Sequence, residues 1–196
     1  MPRALKIWLA LGAILLVGVV GWGISYALHP TRTFHSSGPS MEPALFDGEA
    51  FDVLLFSDDA PTHGDIVVVR SPVDEVRIAK RVVAVGGETV SISPECVVEV
   101  DGTALRHEPV ECPRGPYVGS PFGDPEPPRC FREHAVSGAT YIVLDTGNSC
   151  RSMGAIEVPE GHVFVLGDHR DRSNDSSNPH IGAIPLDRVV GVVDLD

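Results

Sequence analysis

Asp65-Ile66-Val67-Val68-Val69-Arg70 and, a few residues on, Glu75-Val76-Arg77-Ile78-Ala79-Lys80-Arg81-Val82-Val83-Ala84-Val85 decide the fold class. Both are short apolar runs set between polar residues, the pattern of strands rather than of amphipathic helices. The same reading takes in Phe51–Phe56, Glu88–Ser93 and Cys96–Val100, the last followed by Asp101-Gly102, a hairpin turn signal. Later strands are expected at Thr140–Leu144, His162–Leu166 and Arg188–Leu195. No long amphipathic helix pattern appears beyond residue 28. The expectation is a mainly β fold of antiparallel sheets. Residues 106–138 break the pattern with many prolines and glycines, notably from Pro121 to Pro128, and read as an inserted loop or small subdomain.

Ahead of these strands, Ile7 to Leu28 runs 22 residues without a charge. As a helix it would span about 33 Å, enough for the hydrocarbon core of a bilayer. Trp8, Trp22 and Tyr26 lie near its ends, where amphipathic rings favour the interface. A cleaved signal peptide is the alternative, with Arg3 and Lys6 as its charged start. Its apolar stretch would exceed the usual length of about 7–15 residues, and a small-residue cleavage site is poorly formed around Ser25-Tyr26-Ala27. A buried helix of a soluble fold is a third option. The preferred reading is one N-terminal transmembrane helix at 7–28 between a short start, 1–6, and the remainder, 29–196. Arg3, Lys6 and the α-amine outweigh Arg32 as flanking positive charge. The N-terminus is therefore expected in the cytoplasm and residues 29–196 outside the membrane.

The 196 residues carry a formal charge of -12, and residues 31–196 about -14, because Arg3 and Lys6 stand before them without an acid. That balance disfavours nucleic acid as a partner, since phosphate binding needs a basic face. The length favours one domain and suffices for a real core. Cys96, Cys112, Cys130 and Cys150 are even in number and contain no Cys-x-x-Cys pair, so a zinc site is disfavoured. One or two disulfides formed in an oxidising compartment are expected, with three pairings open if all four take part. Free buried thiols are the alternative.

Three stretches carry chemistry. In Ser36-Ser37-Gly38-Pro39-Ser40-Met41-Glu42-Pro43, a serine stands between two prolines on a constrained turn. Such a turn can present a hydroxyl and a backbone N–H to the same atom, as a nucleophile with an oxyanion site requires. Lys80 is one of two lysines in the chain, Lys6 being the other, while twelve arginines follow residue 30. Arginine replaces lysine at most solvated sites but not where the amine must lose its proton, because lysine shifts its pKa readily on burial. Lys80 is therefore a candidate neutral base for a serine. The third stretch, Gly167-Asp168-His169-Arg170-Asp171-Arg172-Ser173-Asn174-Asp175-Ser176-Ser177, follows an apolar strand and can build a hydrogen-bonded support for a buried charge. Taken singly, each has an ordinary reading as a Ser/Pro/Gly loop, a snorkelling lysine or a solvated turn. A Ser–His–Asp triad using His63 with Asp65, or His169 with Asp168, is the competing catalytic reading.

Together, and in this order, the stretches resemble the bacterial type I signal peptidases (leader peptidases), membrane-anchored Ser–Lys proteases. The resemblance runs through most of residues 7–196 and ends with Ile184-Pro185-Leu186-Asp187-Arg188-Val189-Val190-Gly191. It implies that Ser40 is the nucleophile, followed by Met41, and that Lys80 is the general base with Arg81 beside it. Ser173 would orient the lysine amine, and Gly167, Asp168, Arg170, Asp175 and Ser176 would support the site. It also implies a coiled β fold of two antiparallel sheet regions with the dyad in a groove near the membrane. Signal-peptide-bearing preproteins and the lipid bilayer are the implied partners, the cell membrane the implied location, and no cofactor or metal is implied. Within the class, a peptidase dedicated to one conjugation or pilus substrate is an alternative. Outside it stands an inactive anchored β protein that binds export partners.

Three positions depart from the family pattern. Gly38 stands where some members place a serine as an oxyanion donor, so a backbone N–H would have to serve. Gly86-Gly87-Glu88 replaces a Pro-Gly-Asp turn. Ser177 replaces an arginine that usually pairs with an aspartate, which leaves Asp175 to pair elsewhere, with Arg81 or Arg170 as the candidates.

Overall fold

The structure is a computed structural model that describes residues 31–55, 60–119, 127–148 and 150–194. The anchor expected at 7–28 lies outside the described residues. Fourteen strands are described, and no α-helix is found among the described residues. In chain order they are β1 (Thr31–His35), β2 (Ala50–Leu55), β3 (Ile66–Arg70), β4 (Arg77–Val85), β5 (Thr89–Ile92), β6 (Val98–Val100) and β7 (Thr103–Ala104). There follow β8 (Arg106–Val110), β9 (Arg129–His134), β10 (Thr140–Asp145), β11 (Met153–Glu157), β12 (His162–Leu166), β13 (Ile184–Pro185) and β14 (Val189–Asp194).

The strands form three sheets whose strand pairs are all antiparallel. The large sheet has the order β1-β2-β14-β3-β4-β12-β13, a second has β11-β5-β6-β7, and a third has β10-β9-β8. The run Ile66–Val69 is apolar throughout because β3 is covered on both sides. Ile66 and Val68 join Met41, Leu45 and Phe51 in one core cluster, while Val67 and Val69 join Val82, Val165 and Ile184 in another. A third cluster binds the large sheet to the second one through Val83, Ala84, Phe164 and Leu166 on one side and Val90, Ile92, Val98 and Val100 on the other. The register of β4 against β12 shifts by one residue between Ala84 and Val82. Such a bulge bends the strand and redirects its side chains.

Within the segment that read as an insertion, β8 and β9 are regular strands of the third sheet. Cys112–Cys130 joins the end of β8 to β9, and Cys96–Cys150 joins the second sheet to the segment before β11. Both disulfides are present, which selects one of the three pairings left open by the sequence.

Phe164 is fully buried in the cluster that joins two sheets. Phe164→Ala is expected to lower the unfolding free energy by about 3–5 kcal/mol in urea titrations, as for other large core truncations.

Candidate active site

Ser40 stands on a loop between β1 and β2 whose neck is closed by Ser36 N–H donating to the Glu49 carbonyl and Gly48 N–H donating to that of Ser36. Glu42 N–H donates to the Pro39 carbonyl at 3.0 Å, which places Ser40 and Met41 at the corners of a tight turn. Gly38 has a φ of +83°, a conformation that a side chain strains, and its N–H donates to Asp47 Oδ1 at 2.6 Å. Gly38 N–H is therefore engaged by a carboxylate. Met41 is buried in the cluster of Leu45, Phe51, Ile66 and Val68 and pins the turn from below. Ser40 itself is half-buried beside a cleft of about 200 Å³ that Phe34, Met41, Val68, Ile78 and Ala79 help to line.

Lys80 comes from β4, paired with Val67 of β3. Its side chain is almost fully buried, and its Nζ donates to Ser40 Oγ at 2.8 Å and to the Ala79 carbonyl at 2.8 Å. Burial pushes the ammonium from the ordinary lysine value of 10.5 down to about 8, against the opposing pull of Asp175 and Asp168. A serine hydroxyl in contact with a desolvated amine of that pKa is the arrangement of an activated nucleophile with its base.

The segment after β12 surrounds this pair with buried ion pairs. Asp168 accepts from Arg81 Nε at 2.7 Å and from Nη2 at 2.6 Å, while Arg81 Nη1 donates to the Gly64 carbonyl. The same guanidinium lies 4.1 Å from the centre of the Tyr141 ring. Arg170 makes a second bidentate pair with Glu133 of β9, which also accepts from Tyr141 Oη and faces His107 Nε2. Burial alone would raise the Glu133 carboxyl, but Arg170, His107 and Tyr141 together hold it far below the ordinary range. Asp175 Oδ2 accepts from Gly167 N–H at 2.9 Å, and Ser176 Oγ accepts from Val165 N–H at 3.1 Å, which folds the segment back onto β12. A Cβ at Gly167 would collide with the Ser173 side chain and the Ser40 carbonyl, so this position must be glycine for the segment to reach the Ser40 turn.

A family model described as signal peptidase, peptidase S26, matches residues 6–195. The chain belongs to this signal peptidase family. Signal peptidase I of Rickettsia typhi is 32% identical over 140 residues, which are 67% of this chain and 50% of that protein. Signal peptidase I of Bacillus licheniformis is 29% identical over 157 residues, 79% of this chain and 69% of that one. The chain spans about half the length of the rickettsial relatives it matches. A crystal structure of a signal peptidase I from Enterococcus faecalis aligns with 70% of this chain and 100% of its own, at 23% identity and a TM-score of 0.41.

Within the family frame, the structure brings Ser40, Met41, Lys80, Arg81, Gly167, Asp168, Arg170, Asp175 and Ser176 to one place. Two expected contacts differ. Ser173 Oγ is buried against Gly167 and has no hydrogen-bond partner among the described residues, and the Lys80 amine instead donates to the Ala79 carbonyl. Asp175 does not take Arg81 or Arg170, which are committed to Asp168 and Glu133. Its Oδ1 accepts from the N–H of Ser177 at 3.1 Å and from the Ser177 hydroxyl at 2.7 Å. The serine that replaces an arginine thus satisfies the same aspartate by a local turn. The triad reading does not match the geometry. His63 pairs with Glu88 rather than Asp65, and the His169 ring faces Glu42 and Asp171 rather than Asp168. Glu133 and Tyr141 were missed by sequence reasoning, since nothing in the spacing of β9 and β10 links them to Arg170.

Asp168→Asn should leave the Arg81 guanidinium buried without its bidentate partner. The expected cost is about 3–5 kcal/mol in chemical unfolding, the range for breaking one side of a buried pair.

Proposed function

We propose that the chain is a membrane-anchored serine endopeptidase that removes signal peptides from exported preproteins, with Ser40 as nucleophile and Lys80 as general base. The observation that carries the reading is the 2.8 Å contact between Lys80 Nζ and Ser40 Oγ with the amine buried. Neutral Lys80 takes the Ser40 hydroxyl proton as Oγ attacks the scissile carbonyl. The Ser40 N–H, which donates to no carbonyl among the described residues, faces the developing oxyanion. Lys80 then returns the proton to the leaving amine, and water hydrolyses the ester by the same route in reverse. Gly167, Asp168 and Arg81 hold the strand and the turn in register. Ser173 contributes a buried hydroxyl beside the Ser40 carbonyl.

The small cleft beside Ser40 suits small side chains, as found in Ala-x-Ala cleavage sites. From Leu28, the end of the expected anchor, to Ser40 is 12 residues, a tether of at most about 43 Å. The site would therefore lie close to the outer bilayer surface, where signal peptides emerge. The alternative of an inactive binding protein drew on Ser177 alone, and Ser177 satisfies Asp175.

The test is cleavage of a preprotein carrying an Ala-x-Ala site by the detergent-solubilised full chain, beside Ser40→Ala and Lys80→Ala. Both substitutions are expected to reduce kcat/KM by at least about a thousandfold. Since the neutral amine is the active form, kcat/KM of the wild type should climb with pH at a slope of one and level off above about 8. A folded wild type that cuts no such preprotein would reject the general signal peptidase reading and leave a dedicated substrate or a non-catalytic binding role.

A further inference from the structure

Beneath the nucleophile turn lies a buried cluster that the chemistry above does not use. Glu42, two residues after Ser40, has a side chain with 0% exposure, and its Oε1 accepts from Val118 N–H at 2.9 Å. Its Oε2 faces His169 Nδ1 at 3.6 Å, and on the other side of the ring Nε2 faces Asp171 Oδ1 at 3.3 Å. The His169 and Asp171 side chains are 1% and 0% exposed. Asp171 is fixed from behind, its Oδ2 accepting from Thr146 N–H, Thr146 Oγ1 and Asn148 N–H. Neither contact of the ring has hydrogen-bond geometry. Glu42 Oε2, both ring nitrogens and Asp171 Oδ1 are thus buried polar atoms that face one another across short gaps without hydrogen bonds.

The position of the cluster gives it a task. His169 N–H donates to the Ser40 carbonyl at 3.2 Å. The preceding residue, Asp168, grips Arg81, the neighbour of Lys80. Two consecutive residues therefore hold the two halves of the dyad, one by an ion pair and the other by a backbone bond reinforced through its side chain.

We propose that His169 is a positioning residue for the hydrolysis: held between Glu42 and Asp171, its ring ties the Ser40 turn to the segment that grips Arg81 and so fixes Ser40 Oγ against Lys80 Nζ. This rests on the Ser–Lys reading of the function. The two carboxylates differ. At Asp171, burial raises the carboxyl but is outweighed by His169 and the donors of Thr146 and Asn148, which bring it to about 2. At Glu42, burial wins and raises the carboxyl above its ordinary value despite Val118 N–H, His169 and Arg172. The charged and titratable groups facing the cluster are thus Arg172 and, from the segment packed over Glu42, Tyr117. As pH falls, Glu42 takes up a proton before Asp171, and the neutral carboxyl holds the ring less firmly than its anion does.

The experiment measures kcat, KM and the pH profile of the detergent-solubilised full chain on the same preprotein for wild type, Glu42→Gln and His169→Asn. The cluster lies behind the turn and does not line the cleft, so kcat is expected to fall by about ten- to a hundredfold, the effect of a small misplacement, with KM nearly unchanged. On the acid side, the wild-type profile should steepen beyond the slope of one set by Lys80, and Glu42→Gln should return it to one. A merely structural role would lower the yield of folded enzyme without changing the shape of the profile. Should His169→Asn fail to fold, the isosteric Glu42→Gln carries the test alone. Folded variants that keep the wild-type kcat, or lose kcat with the wild-type profile shape, overturn the clamp while leaving the Ser–Lys reading intact. A folded wild type that does not cut this preprotein, like Ser40→Ala, rejects the general signal peptidase reading, and the clamp, argued for that hydrolysis, falls with it.

Discussion

Desolvation of one amine is the constraint on which the rest of the structure depends. Lys80 can act as a base near neutral pH only if water is kept from its Nζ, and burial supplies that. Yet the same region must hold Arg81 and Arg170, both buried, and the carboxylates that pair with them. A free carboxylate near Nζ would stabilise the ammonium and undo the effect of burial. The structure answers by committing each one elsewhere: Asp168 to Arg81, Glu133 to Arg170 and Tyr141, and Asp175 to the donors of Gly167 and Ser177. Asp168 and Asp175 still raise the Lys80 pKa, but not enough to cancel its loss of hydration.

That arrangement explains why a small third sheet is attached to the site. Glu133 lies on β9, Tyr141 on β10, and β10 meets the segment after β12 directly through Leu144, whose N–H donates to the Asp168 carbonyl and whose own carbonyl accepts from Arg170 N–H. A guanidinium buried as deeply as that of Arg170 needs a partner that cannot swing into solvent. A carboxylate on the middle strand of a three-stranded sheet meets that need. The sheet thus supports the site through Arg170 and needs no residue in contact with Ser40 to do so.

The same requirement decides what could be read from the sequence. Strands rich in valine and isoleucine, such as β3, β4 and β14, announce themselves by their apolar runs. In β9, Arg-Cys-Phe-Arg-Glu-His, the buried positions are Cys130 and Glu133, so the inward face includes an acid and the alternation disappears. Pro109 in β8 and the exposed β11 hide their strands in other ways, one by a residue that disfavours sheets and the other by having no buried face. Of the candidate site, Ser40, Lys80, Arg81, Gly167, Asp168, Arg170, Asp175 and Ser176 were legible because their types suit one chemistry and their order fits one family. Glu42, His169 and Glu133 were not, since their meaning lies in distances between segments far apart in the chain.

In a Ser–His–Asp triad a carboxylate orients the imidazole; here, among the described residues, Ser40 is the side chain that Lys80 Nζ meets by a hydrogen bond. Lysine has a flexible stem and one ammonium, so direction must come from its surroundings. Here the direction comes from the Ala79 carbonyl at one donor position of Nζ and from the fixed location of Ser40 Oγ at another. Precision then depends less on the base than on the turn that presents the hydroxyl. That turn is held by Met41 in the core, by Gly167 packed without a side chain against the Ser40 carbonyl, and by the His169 N–H on the same oxygen. The orienting role that one aspartate plays for a histidine would in this chain be distributed over the backbone around Ser40.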